Sequence, residues 1–253
     1  MTRLSPPTLY HYLACGGYFT RSVLTSLHFY NDVPSWSDGK NEQWWVGLGA
    51  PVGRCPTCRV VVWVDDAIAL MPAPREPQPV DLLSRLWYLM TGDRSGRLRD
   101  EQKWVSMPRE IKDAERLLPL STTQDYANAL AQIVPLPPDR EEYLRRKLWW
   151  ASNDHLRKEC NTPALEIDAA RANMERLLAL LPSTARTLER VKLYRQLGRF
   201  QEVLDLIPAL PSDQWVKADL QRKWAMARDS TMRAIPPQAA VQARESQRRT
   251  VVW

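Results

Sequence analysis

Three cysteines carry the most readable chemistry in this 253-residue sequence. Cys55-Pro56-Thr57-Cys58 is a C-P-x-C pair, the shape of one half of a zinc ribbon. Its tight turn presents two thiolates to one edge of a tetrahedral metal, and two further ligands must come from elsewhere. Where a second C-x-x-C is expected the chain reads Tyr12-Leu13-Ala14-Cys15-Gly16, so Cys15 is the third ligand candidate and a tyrosine stands in the remaining slot. His11, four residues before Cys15, is the candidate fourth ligand, which gives a Cys3His set for structural zinc. Such a closed set leaves no open position for chemistry. The alternative is a ribbon without metal, in which Tyr12 and the thiols simply pack. Arg59 occupies the position where a glycine usually relieves the strain of such a knuckle.

A second polar set lies in Trp149-Trp150-Ala151-Ser152-Asn153-Asp154-His155 with Arg157. Helical spacing puts Asn153 with Arg157, and Trp150 with Asp154, on shared faces. Asp154, His155 and Arg157 compose an acid/base site, a partner-binding patch (Trp149, Trp150, Asn153, Asp154, Arg157), or a buried polar network that fixes helix register. No nucleophile accompanies them. A third set, Trp215, Lys217, Arg222, Lys223, Trp224 and Arg228, mixes aromatic and basic side chains as nucleic-acid-binding surfaces do. The spacing of Trp215, Leu220 and Trp224, however, is that of a core-facing stripe. No phosphate-binding glycine loop, H-E-x-x-H or G-x-S-x-G occurs, and the histidines are scattered at 11, 28 and 155.

Composition bounds these options. The chain is long enough for one large domain or two small ones, and 44% apolar residues with eleven tryptophans supply an aromatic-rich core. The net charge of +6 is uneven: residues 1–66 sum to zero, whereas 212–253 carry eight basic and four acidic side chains. That bias suits an acidic protein, a phosphate backbone or an anionic membrane, or simply a solvated face and tail. The four cysteines lack the spacing of a secreted disulfide framework, the start lacks an apolar signal core, and no run of apolar residues is long enough to span a bilayer. The expectation is a soluble, cytoplasmic, bacterial-type protein.

These residues must be positioned by two kinds of element, an α+β arrangement. Residues 1–71 read as a β-rich, zinc-ribbon-like module. Asp38-Gly39 marks a hairpin turn, and Val60-Val61-Val62-Trp63-Val64 is the clearest strand, ended by Asp65-Asp66. Residues 72–80 hold four prolines and form a stiff linker. A helical domain follows over 81–235, with helices expected over 80–90, 110–117, 123–134, 139–160, 163–181, 184–197, 199–207 and 213–233, and a polar loop over 91–99. Residues 236–253 form a basic tail.

Leu193, Tyr194, Leu197, Gly198, Phe200, Val203, Leu204 and Ile207 resemble one tetratricopeptide repeat: helix, glycine turn, wedging aromatic, helix. The degenerate C-x-x-C, the Trp36-Ser37-Asp38-Gly39 stretch and the C-P-x-C followed by a strand ending Trp63-Val64-Asp65-Asp66-Ala67 together resemble poorly characterised bacterial proteins that join a zinc ribbon to a helical region. That resemblance implies no known reaction. Helix pairs offer grooves that take peptides or partner surfaces, and no catalytic motif is present, so the expectation is a non-catalytic protein–protein interaction protein, such as an adaptor or an immunity protein that occludes its partner. The alternative is a nucleic-acid-associated regulator using the ribbon and the basic C-terminal helices.

Overall fold

The computed structural model describes residues 3–26, 35–40, 50–77, 95–132, 135–157, 164–182 and 186–235. Its strands are β1 (Arg3–Leu4), β2 (Thr8–Tyr12), β3 (Gly17–Arg21), β4 (Leu24–Ser26), β5 (Ser35–Trp36), β6 (Val52–Arg54), β7 (Val61–Trp63), β8 (Ile68–Pro72), β9 (Leu118–Pro119) and β10 (Ala234–Ile235). Its helices are α1 (Ser95–Ser106), α2 (Arg109–Lys112), α3 (Thr123–Leu130), α4 (Pro138–Ser152), α5 (Ile167–Leu180), α6 (Thr187–Gln196), α7 (Phe200–Leu206) and α8 (Trp215–Met226). The class is mixed, β-rich first and helical later, as the sequence patterns predict. No described helix is long and apolar enough to cross a membrane.

Contacts divide the chain into two units, Met1–His28 with Gly47–Leu120, and Phe29–Val46 with Ser121–Trp253. This differs from a boundary at 72–80. Residues up to 120 group with the β-rich part, and the segment around Trp36–Lys40 groups with the helices. The expected helix over 80–90, Trp44, Trp45, Cys160 and the basic tail lie outside the described residues.

In the first unit β2 is flanked antiparallel by β3 and β8, and β6 by β7 and β9. Phe19, Cys55, Val62, Val64 and Leu117 form its core, with Tyr10, Tyr12 and Cys58 packed against them. Gly53 is required where β6 meets the segment at β9: a Cβ there would lie 2.6 Å from the Leu118 carbonyl oxygen and from Leu117 Cγ. The valine run is a strand only over Val61–Trp63, because Val64–Asp66 tightens into a 3-10 turn that carries both aspartates out of the sheet. The stretch expected to be a polar loop ends in helix, starting at Ser95, and the helix expected over 110–117 is a single turn ahead of β9.

The second unit is built on helix pairs. Thr122 and Asp125 form a reciprocal capping box that starts α3, satisfying amides that have no partner inside the helix. Helix α4 begins at Pro138, behind the N-cap Pro137, with Asp139 and Glu141 in its first turn, at the positive end of the helix dipole. Helices α6 and α7 turn back on one another at Gly198, whose φ of +76° suits glycine, and the Arg199 amide bonds back to the Tyr194 carbonyl. Trp149, Leu177, Val191, Leu193, Tyr194, Leu197, Val203 and Ala218 pack into one core.

Candidate functional site

The metal candidate is assembled from two turns. The Cys15 amide bonds to the Tyr12 carbonyl (3.3 Å), and Gly16 follows at φ +67°. The Arg59 amide bonds to the Cys55 carbonyl (2.9 Å) and the Cys55 amide to that of Val60 (2.9 Å), closing the second knuckle. Arg59 adopts φ +63°, the left-handed conformation that the sequence reserves for glycine. The knuckles meet over Gly17, where a Cβ would stand 2.6 Å from Thr57 Oγ1 and 3.1 Å from Cys15 Sγ.

This brings the sulfurs of Cys15, Cys55 and Cys58 within 4.8 Å of one another, close enough to hold a metal ion among them. Cys15 and Cys55 are 3.8 Å apart. That is the edge of a tetrahedron with metal–sulfur bonds of about 2.3 Å, as zinc prefers. Partial burial works against ionisation of Cys55, but the backbone amides of Cys58 and Thr57, with the other two thiols, bring it below an ordinary cysteine. Desolvation of the sulfur and the hydrogen bonds with Cys58 and Cys55 push Cys15 up to about 11, against the Gly17 amide. Cys55, which is also the buried sulfur, is therefore easier to ionise than an ordinary cysteine, and Cys15 harder.

His11 is not part of this group. Successive strand residues face opposite ways, so Tyr10 and Tyr12 share the core side of β2 while His11 faces away and stacks on Tyr18, its cross-strand neighbour (ring centroids 4.7 Å). The expected Cys3His set is thus corrected to three thiols beside Tyr12. Burial, then the neighbouring thiols and Asp66, raise the tyrosine, so its phenol keeps its proton at neutral pH.

The second polar set is a buried charge cluster in the helical unit. Arg157 ion-pairs with Asp38 and Asp154 and donates to the Trp150 carbonyl (2.7 Å). Asp38 is 2% exposed and accepts further bonds from Asn153 Nδ2 (2.9 Å) and the Lys40 amide (3.0 Å). Trp150 Nε1 donates to the Asp38 carbonyl (3.2 Å), and Lys40 Nζ bonds to Asp154 (2.5 Å). Trp149 is buried, with its indole nitrogen on Gln196. Next to it, Arg195 donates to Ser37 Oγ (2.8 Å), Gln221 Oε1 (2.8 Å) and the carbonyls of Asp229 and Thr231. Gln221 and Arg233 hold the Ser37 backbone.

Of the five side chains expected to meet a partner, Trp150, Asn153, Asp154 and Arg157 are therefore occupied by this chain's own Trp36–Lys40, and Trp149 is buried on Gln196. That stretch does form the expected tight turn, with the Gly39 amide on the Trp36 carbonyl (2.7 Å) and Gly39 at φ +89°. Among the described residues β5, which leads into it, pairs with β10 rather than with the β-rich unit. The acid/base reading changes too. His155 Nδ1 meets the Ser152 carbonyl (2.7 Å), so it caps the end of α4 together with Arg157.

Sequence reasoning missed Ser37, Arg195 and Gln221 as network members, because bonds spanning 158 and 184 residues leave no local pattern. On α8, Trp215 is 62% exposed rather than core-facing, and Asp219 pairs with Arg222 and Lys223, which neutralises part of the basic face. Compared with known proteins, the chain matches no family model, no curated protein and no solved structure.

Proposed function

We propose that this chain is a non-catalytic protein-binding protein, an adaptor or an immunity-type inhibitor, whose β-rich unit is a zinc-clamped scaffold. One observation carries the reading. Among the described residues, strand β8 lies at the edge of its three-stranded sheet and exposes Ile68 (47%), Leu70 (45%) and Met71 (40%). An edge strand with unpaired backbone groups and apolar side chains is a template on which an extended partner segment adds as another strand. The tetratricopeptide-like pair α6–α7 offers a helical surface of the kind that also takes peptides. The ionisable side chains of the charge cluster are spent on holding Trp36–Lys40, which supports a role without turnover.

The test is affinity isolation of the chain from its source cell, followed by native mass spectrometry. The expected result is one protein partner in fixed stoichiometry, lost with Leu70→Lys and retained with the surface control Val105→Lys. A partner retained by Leu70→Lys, or an isolate consisting of nucleic acid, contradicts the proposal. The nucleic-acid alternative has less support, since Asp219 already pairs with two of the basic residues on α8.

A further inference from the structure

We infer that the Cys15–Cys55–Cys58 centre, when it holds zinc, keeps its fourth coordination position open to an exchangeable neutral nitrogen ligand such as an imidazole. The inference rests on the zinc clamp proposed above and adds to it a ligand-binding activity.

Among the described residues no histidine, aspartate or glutamate joins the three sulfurs. His11, the nearest candidate in sequence, is turned to the other face of β2. Zinc held by three protein ligands fills its fourth corner from outside, which is what separates exchangeable from closed sites.

Access comes next. The three sulfurs grade from inside to outside: Cys55 is buried, Cys58 is half-buried and Cys15 is exposed. Phe19, Val62, Val64 and Leu117 close the side at Cys55. Cys15 lines a cavity of about 350 Å³ together with Tyr18, Thr57, Glu110, Asp113 and Glu115. This volume is far more than one water needs and is enough for an imidazole ring.

The walls select the ligand. Glu110 and Glu115, with Asp113 paired to Arg109 (3.1 Å), leave a negative lining that disfavours an incoming anion such as a free thiolate, phosphate or halide. A neutral nitrogen donor meets no such repulsion, and imidazole is a good ligand for zinc beside thiolates. In the exchange a bound water leaves, the nitrogen lone pair takes its place, and no charge or oxidation state changes. The histidine side chain of a bound protein segment presents this chemistry.

The experiment uses the full chain loaded with cobalt(II), whose visible bands report the number and type of ligands. Imidazole is then titrated against thiocyanate as the anionic probe. The expected result is a saturable band shift with imidazole and at least a tenfold weaker response to thiocyanate. His11→Ala should leave both spectra unchanged. Tyr12→Cys should abolish the imidazole response and raise the sulfur-to-cobalt charge-transfer intensity by about one third, the ratio of four sulfurs to three. Should Tyr12→Cys fail to fold, the titration of the unaltered chain decides alone. Cobalt binding with no imidazole response, or a preference for thiocyanate, overturns this inference and leaves the zinc clamp standing. Failure to bind cobalt or zinc at all overturns both.

Discussion

Asp38 and Arg157 form a buried ion pair, 119 residues apart in sequence, completed by Asn153 donating to Asp38 and by Arg157 donating to the Trp150 carbonyl. Removing one partner leaves the other charge buried without compensation, which costs about 3–5 kcal/mol. Asp38→Ala should therefore lower the unfolding free energy of the helical unit in denaturant titration by that amount, whereas Asp38→Asn, which keeps the shape, should cost less. Equal effects of the two variants would deny the charge its role. Lys192 makes a different prediction at the same scale. Burial, with Lys217 and Arg195 nearby, pulls it down to about 8 despite Asp38 and Glu189. The unfolded chain then binds more protons than the folded one between about pH 8 and the ordinary lysine value near 10.4, so this group makes stability rise with pH across that window. Lys192→Met should stabilise the protein by about 1–2 kcal/mol at pH 7, a gain that fades by pH 10 in denaturation series at the two values. The legible residues were those whose chemistry is local. Cys15, Cys55 and Cys58 announce themselves by spacing, while the seat of Asp38 depends on residues more than a hundred positions away.

At the scale of elements the left-handed positions are informative. Gly198 ends α6 with the Arg199 amide on the Tyr194 carbonyl, and Arg228 (φ +53°) ends α8 in the same way, with the Asp229 amide on the Trp224 carbonyl (2.9 Å). The glycine signals its turn in the sequence and the arginine does not, which is why the last helix was expected to continue to 233. Arg59, in the Cys55–Cys58 knuckle, is another arginine in this conformation. A side chain in this conformation costs roughly 1 kcal/mol, offset in part by the added freedom of glycine in the unfolded chain. Arg59→Gly should raise the stability of the β-rich unit by a few tenths to about 1 kcal/mol. A loss on equilibrium unfolding would mean that the Arg59 side chain contributes more than its backbone strain removes. The strand at Val61–Trp63 and helices α3 to α7 were legible because β-branched runs, Thr122, Pro137-Pro138 and Gly198 each act within a turn of where they stand. The helix at Ser95 was not, since its glycine and charged residues carry no apolar stripe.

For the molecule as a whole, a β-rich unit and a helical unit share one chain whose connections interleave, because residues 29–46 leave the first to join the second. No composition shift marks that crossing, and the proline-rich stretch that looks like a boundary follows β8 inside the first unit. The two units should respond separately to metal, since the three sulfurs all belong to the first. Metal that binds only the folded state adds stability in proportion to its affinity. Unfolding of the full chain with zinc and with a strong chelator, followed by amide exchange, is the most direct measurement. The account predicts one zinc per chain, lost with Cys55→Ser, and chelator-induced loss of protection in β2, β3, β6 and β7 while α4 to α8 stay protected. A chain isolated without metal whose β-rich unit is equally protected with and without chelator would contradict it.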